Sequence, residues 1–262
     1  MTASDNGDGS GGVLRGIYLS VVFLTRLPAP AWPDAVRGRL AGAMWAFPVA
    51  GVIVATIAGV AYAICAELGC DPLVSAFVAV GAGIVATGGL HEDGLADLAD
   101  GAWGAAEPGA RLAIMSDSRI GAFGALALIL SVGIRAAALA ALGQPLYVLG
   151  ALVAAAALSR AMIPATMAFL SPAKTSGLGA SAGTPSTGTW TAGLGLALII
   201  ALFAAPDGIP SAIVGAAAAA ALVAWFARRA FGGYTGDVLG AVQQFAEAAA
   251  LALIAAAVTE AG

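Results

Sequence analysis

The sequence predicts an all-α, polytopic transmembrane helix bundle of about seven spans, and three observations predict it. The first is composition: 60% of the 262 residues are hydrophobic and only 10% are charged, against about 25% charged in ordinary soluble domains. Mean hydropathy is +0.94. The second is the recurrence of apolar runs long enough to cross about 30 Å of hydrocarbon. The third is the distribution of the Lys and Arg outside those runs, which fall in alternate inter-run loops. A net charge of −4 and a pI near 4.8 argue against nucleic acid as a partner, since that needs a basic patch. Cys65 and Cys70 are too few and too close for a disulfide framework or a zinc site.

Residues 1–12 are mostly Gly, Ser and Asp with no basic, apolar leader pattern, and read as a disordered tail. Residues 13–262 then form a single integral membrane domain. Val13 to Leu27 reads as a short amphipathic helix on the membrane surface or packed under the bundle. Leu27-Pro28-Ala29-Pro30 and Trp32-Pro33 break the chain into a connector carrying Arg37 and Arg39. The expected spans are Leu40–Ala66, Leu73–Leu90, Gly121–Leu142, Leu146–Leu170, Trp190–Ala205, Ser211–Ala227 and Gly240–Val258. Pro48 and Gly51 predict a kink in the first. The abundance of Ala and Gly favours close helix packing in lipid.

Alternating these spans puts Arg15, Arg26, Arg37, Arg39, Arg111, Arg119, Lys174, Arg228 and Arg229 on one side. The opposite loops hold no Lys or Arg. The positive-inside rule makes the basic side cytoplasmic, with the N-terminus inside and the C-terminus outside. Arg135, Arg160 and Glu247 fall within spans, where ionisable groups by default mark interior sites or pathways. For Arg135 two readings stay open, a pathway residue or a side chain paired inside the bundle.

One stretch stands apart. His91 to Asp100 holds four acids and the chain's only histidine. On a helix Asp93, Asp97 and Asp100 stand at i, i+4 and i+7, within roughly 60° of arc. Like charges at this spacing destabilise a helix, and no Lys or Arg lies among them. A hard divalent cation such as Mg²⁺ would resolve the repulsion; a solvated acidic helix between two spans is the alternative.

Three further polar clusters fall on the same side. Ser116-Asp117-Ser118-Arg119 opens a helix, with Ser116 or Asp117 as its cap and Arg119 suited to a phosphate. The Gly/Ser/Thr-rich loop 171–189, with Lys174 as its only charge, is either disordered or a binding lid. Asp237 follows a Gly-rich loop just before the last span and would add a metal ligand from a distant part of the chain. Carboxylates for a metal beside basic groups for phosphates point to phosphoryl transfer.

Asp97-Leu98-Ala99-Asp100-Gly101 resembles the start of the CDP-alcohol phosphotransferase signature, whose remainder is absent. The chain as a whole resembles the cobalamin synthase (adenosylcobinamide-GDP ribazoletransferase) family. The carrying stretches are Phe23-Leu24-Thr25-Arg26-Leu27-Pro28, Gly88 to Gly101, Ile114 to Gly121, Leu158-Ser159-Arg160 and Gly233-Tyr234-Thr235-Gly236-Asp237-Val238-Leu239-Gly240-Ala241, in the family's order. Glu92 and Ser116 depart mildly, standing where apolar and basic residues are usual.

The resemblance implies a multi-pass enzyme of a bacterial inner membrane, Mg²⁺-dependent, with its site facing the cytoplasm. It would join adenosylcobinamide-GDP to α-ribazole or its phosphate and release GMP. Its partners would be the corrinoid nucleotide, α-ribazole and membrane lipids, with a homo-oligomer left open. Mapped here, Asp93, Asp97, Asp100 and Asp237 would hold metal. Arg119 and Lys174 would hold phosphates and Arg160 the departing guanylate, with Asp117, Thr235, Arg26 and Glu247 also on the substrate side. His91 would either accept the hydroxyl proton or orient a neighbour. The competing readings are a CDP-alcohol phosphotransferase-like lipid enzyme and a small-solute transporter. The outer loops have almost no polar features comparable to those of the basic side, which weighs against transport.

Overall fold

A computed structural model describes residues 9–29, 40–175, 177–205 and 207–261. Trp32-Pro33, Arg37, Arg39 and the first eight residues of the expected tail lie outside them. The helices run α1 (Gly9–Leu24), α2 (Leu40–Ala43), α3 (Phe47–Glu67), α4 (Pro72–Thr87), α5 (Leu90–Gly104), α6 (Pro108–Ile114), α7 (Ala122–Leu142), α8 (Pro145–Phe169), α9 (Leu178–Ser181), α10 (Thr187–Ala204), α11 (Ile209–Ala230) and α12 (Gly236–Ala261). Among the described residues there is no strand, only an isolated bridge between Pro172 and Tyr234.

Six helical segments are long and apolar enough to cross a membrane: Leu40–Glu67, α7, α8, α10, α11 and Gly236–Thr259. The expected second span becomes a bent pair. α4 ends at Thr87, and the chain turns by 93° into α5. Gly88 and Gly89 make that turn with φ of 66° and 69°, a left-handed conformation that side chains with a Cβ resist. The pair makes a seventh span only if it is counted as one broken span; the apolar α4 packs against α3 and α7, and the acid-bearing α5 turns away from its end.

The ends of the spans are cross-linked, which shows that the helices alternate in direction. At one end the Arg26 N–H donates to Ala86 O (2.8 Å) and the Ala173 N–H to Tyr234 O (2.8 Å). At the other, the Tyr62 hydroxyl donates to Gly143 O (3.0 Å). The basic residues expected on one side that fall within the described residues gather at the first end.

Small side chains set the packing. α8 is the most enclosed helix, with Ala154, Ala155 and Ala157 fully buried, and a Cβ on Gly51 of α3 would strike the Ala156 backbone. Pro164 lies inside α8 without ending it, as neighbouring helices allow. The expected kink in the first span falls earlier. The break is a 3₁₀ turn at Met44–Ala46, because Pro48 is accommodated in the first turn of α3, where its missing N–H is not needed. α1 reaches back to Gly9, four residues into the stretch expected as tail. It packs under the bundle, where the buried Ser20 hydroxyl bonds Ala43 O across to α2 (2.9 Å).

Candidate active site

The close crossing of α5 and α12 builds the site. A Cβ on Gly94 would stand 2.9 Å from the Asp237 Cα, so only glycine lets the two backbones meet here. The contact brings Asp93 and Asp237, 144 positions apart in sequence, to the wall of one cavity of about 300 Å³. Its polar lining is Asp93, Asp237, Thr235, Lys174 and His91; Phe23, Phe47 and Met167 are among the apolar residues that complete it. Lys174, Gly177, Gly179, Ala180 and Ala182 of the 171–189 loop line one wall. Ser171 and Ala173 pair with Tyr234, and Ser186 caps α10 by accepting the Thr189 N–H (3.2 Å).

Asp97 lies one turn beyond Asp93, half-buried. Burial, then the charges of Asp93, Asp237 and Asp100, push its carboxyl up to about 7, against the opposing pull of Lys174. Thr235 Oγ1 donates to Asp237 Oδ2 (3.2 Å) and fixes that carboxylate. Lys174 reaches over from its loop, its Nζ donating to Leu112 O (3.2 Å) and Ser116 Oγ (2.8 Å).

Asp100 departs from the expected metal trio. Its Oδ2 accepts the Gly121 N–H (2.7 Å) and its Oδ1 the Gly124 N–H (2.8 Å), so it caps α7 from another helix. A carboxylate at a helix N-terminus is favoured by both hydrogen bonding and the dipole. This also corrects the expected cap. Neither Ser116 nor Asp117 serves α7, whose N-cap is Gly121. Asp117 instead accepts three bonds from the Arg119 side chain, the shortest 2.6 Å from Nη2. These bonds lower the Asp117 carboxyl below its ordinary value. Arg119 is 86% exposed and is not part of the cavity wall. Arg26 is exposed too, lying over Gly88 at the α4–α5 bend.

Among the described residues no three His, Cys, Asp or Glu side chains converge as a ready metal cage. The donor set still fits Mg²⁺. That ion is usually held by one or two carboxylates, its remaining ligands being waters and substrate phosphates. Asp93 and Asp237 on the cavity wall supply two hard oxygen donors, and the repulsion felt by Asp97 gives the site an unbalanced negative charge.

Behind the cavity lies a second polar assembly, wholly inside the bundle. Arg135 donates to Glu92 Oε1 (3.1 Å) and Glu247 Oε1 (3.4 Å). Arg160 donates to Glu247 Oε2 (3.1 Å). Gln244 donates to Glu92 Oε1 (3.1 Å), Gln243 joins Ser159 (3.2 Å) and Glu247, and Ser131 joins Gln244 (2.9 Å). The network ties α5, α7, α8 and α12 together. It settles Arg135 as a paired residue. It also corrects the expectation for Arg160 and Glu247, which are enclosed with each other and do not line the cavity, because α8 and α12 turn these side chains into the bundle.

His91, the second residue of α5, is buried between the two assemblies and lines both the cavity and a small hollow at the network. Its Nε2 has no hydrogen-bond partner. Gln243 and Gln244 are members of the buried network that the sequence reading missed. The available signal was two amides three and four residues before Glu247 in an apolar helix, where polar groups are expensive unless partnered.

The model of the cobalamin-5-phosphate synthase family matches residues 16–255. An adenosylcobinamide-GDP ribazoletransferase of Bradyrhizobium diazoefficiens is 41% identical over 248 residues, covering 94% of each chain. Proteins of the same name from Rhizobium etli and Brucella canis are 44% and 41% identical, over 91% and 92% of this chain and 95% and 96% of theirs. No solved structure matches the chain.

Proposed function

The chain belongs to the cobalamin-5-phosphate synthase family, and from that premise we propose that it is a Mg²⁺-dependent ribazoletransferase. It joins adenosylcobinamide-GDP to α-ribazole or α-ribazole phosphate and releases GMP. A ribazole hydroxyl oxygen attacks the phosphorus that carries cobinamide. The new P–O bond forms as the bond to the GMP oxygen breaks, and GMP leaves with the electron pair. The observation that carries this reading is the meeting of Asp93 and Asp237 from distant parts of the chain, beside Lys174, on one cavity wall.

In this reading Asp93 and Asp237 hold Mg²⁺, which when bound supplies positive charge to the pyrophosphate oxygens. Thr235 keeps the Asp237 carboxylate turned to the cavity. Lys174 faces the phosphates as a point charge. Asp97, one turn along α5 from Asp93, would either join the carboxylates on the metal or accept the hydroxyl proton. Asp100 acts one step back, holding α7 against α5. His91 orients α5 between the cavity and the buried network. The basic end of the bundle faces the cytoplasm of a bacterial inner membrane, by the positive-inside rule.

The test is GMP release by purified, reconstituted protein given adenosylcobinamide-GDP and α-ribazole, with Mg²⁺ or EDTA. Turnover with Mg²⁺, its loss in EDTA and its loss in Asp237→Asn are the expected results. An Asp237→Asn protein as active as the parent would overturn the site assignment. Folded protein without turnover in Mg²⁺ would overturn the reaction.

A further inference from the structure

The bundle is open on one side. α7 and α11 form no packing interface, although both flank α12. The gap between them is a slot of about 540 Å³, floored by α12 and by the underside of α5. Leu126 and Leu130 form one wall, Leu222 and Trp225 the other, with Leu98 and Phe245 on the floor. No polar atom faces it. The nearest polar side chains, Ser131 and Gln244, bond each other (2.9 Å).

At the basic end of the slot the chemistry changes in a fixed order. The Trp103 ring stacks on Phe123 (6.0 Å between centroids) and on Phe226 (6.2 Å), forming an aromatic row across the mouth. Trp103, Phe123 and Trp225 are exposed. Such rings favour the level of lipid headgroups. Beyond them stand Arg228 and Arg229, both exposed, the Arg229 guanidinium 4.7 Å above the Trp225 ring. Neither has an acidic partner among the described residues.

Apolar slot, aromatic row and unpaired cations match an amphiphile in sequence: hydrocarbon tail, interfacial segment, anionic head. We propose that this slot is a binding site for an anionic phospholipid, with an acyl chain between α7 and α11 and its phosphate at Arg228 and Arg229. Basic pockets between membrane helices are suited to such headgroups. A second copy of the chain fits less well. Two-fold pairing over this face would bring both basic pairs into one interface with no acid to meet them. The lipid tail would lie behind α5, on the face opposite Asp93, and would support that helix from the membrane side. The site stands independently of the transferase reading.

Trp103 and Trp225 report on it directly. The full chain is reconstituted in phosphatidylcholine vesicles containing small, equal mole fractions of brominated phosphatidylglycerol or brominated phosphatidylcholine, and tryptophan fluorescence is read. Trp103→Phe/Trp225→Phe supplies the background of the other three tryptophans among the five. The brominated phosphatidylglycerol is expected to half-quench at a mole fraction lower by roughly fivefold or more, the effect of one or two arginines near an anionic headgroup. Arg228→Gln/Arg229→Gln should erase that preference, and Arg228→Lys/Arg229→Lys should keep it. Ala127→Phe, which fills the slot, should weaken quenching by both lipids. Equal quenching of the parent by both lipids would mean ordinary solvating lipid and overturn the proposal. So would tryptophans that become protected as protein density rises, the mark of a second copy on this face.

Discussion

Glu92 and Asp93 are neighbours on α5 and meet opposite fates. Glu92 points into the bundle, where Arg135 and Gln244 both donate to it. Asp93 points to the cavity with Asp237 and Asp97 as its charged company. Around Glu92 two acids and two arginines balance and four helices are tied together, although Glu92 Oε2 and Arg160 Nε have no hydrogen-bond partner. Around Asp93 three acids face one lysine, and the imbalance is left uncompensated beside the cavity. One helix thus carries a largely paired structural core on one side and an uncompensated acidic cluster on the other. The difference teaches that acidity alone does not identify a site in this molecule. What identifies it is charge that the protein leaves uncompensated beside a cavity.

The comparison breaks most visibly if each side is mutated. Glu247→Ala leaves Arg135 and Arg160 enclosed without their shared carboxylate, and removing one partner of a buried pair costs about 3–5 kcal/mol. A large fall in thermal midpoint in detergent is expected, with activity lost along with the fold. Asp237→Asn should do the reverse. GMP release should drop by about 10²–10³-fold, the usual scale for losing one preorganised electrostatic group, while the midpoint stays level or rises as repulsion is relieved. A stability loss in Asp237→Asn equal to that in Glu247→Ala would erase the distinction between the two regions.

Asp100 tests the border between them. Because both its oxygens accept N–H groups of α7, Asp100→Ala should destabilise by about 1–2 kcal/mol, as loss of a helix cap does. Mg²⁺ affinity, read by isothermal titration, should be nearly unchanged. A tenfold loss of affinity would return Asp100 to the metal set.

Much of the fold was legible because the bilayer imposes a simple rule, a run of apolar residues of fixed length. The spans from Leu146 and Ser211 fall within a few residues of α8 and α11 for that reason. The 93° bend at Gly88-Gly89 was not foreseen, since two glycines between an apolar and an acidic stretch read equally as a helix that simply leaves the membrane. In the site, Asp93 and Asp97 were legible as like charges one turn apart. The role of Asp100 was not, because helical spacing puts it on the same arc while its partners, Gly121 and Gly124, come from a later helix. Arg160 and Glu247 were recognisable as interior charges, but only the packing of α8 against α12 shows that they pair with each other.

The pH dependence sharpens the contrast on the open side. Asp97 ionises near its ordinary value of 3.8 when unfolded and at about 7 when folded. Between those values the folded state holds a proton that the unfolded state has released, so metal-free stability falls as pH rises through this window and levels off above it. Asp97→Asn should flatten that slope. Thermal midpoints in EDTA from pH 4 to pH 8 measure it, and a parent and variant with the same slope would remove Asp97 from the repulsive cluster.

The smallest effect is expected at the edge of the site. Arg119 and Asp117 are exposed and paired only with each other, a geometry in which ion pairs contribute little to stability because water and salt screen them. Asp117→Asn should leave the thermal midpoint unmoved. If Arg119 meets phosphates of the bound nucleotide, it does so in ground and transition state alike, and such uniform binding appears in KM and not in kcat. Arg119→Gln should therefore raise the KM for adenosylcobinamide-GDP a few-fold with kcat unchanged. A fall in kcat as large as that of Asp237→Asn would move Arg119 from the rim to the reacting phosphate, and would mean that its loop closes over the cavity when substrate binds.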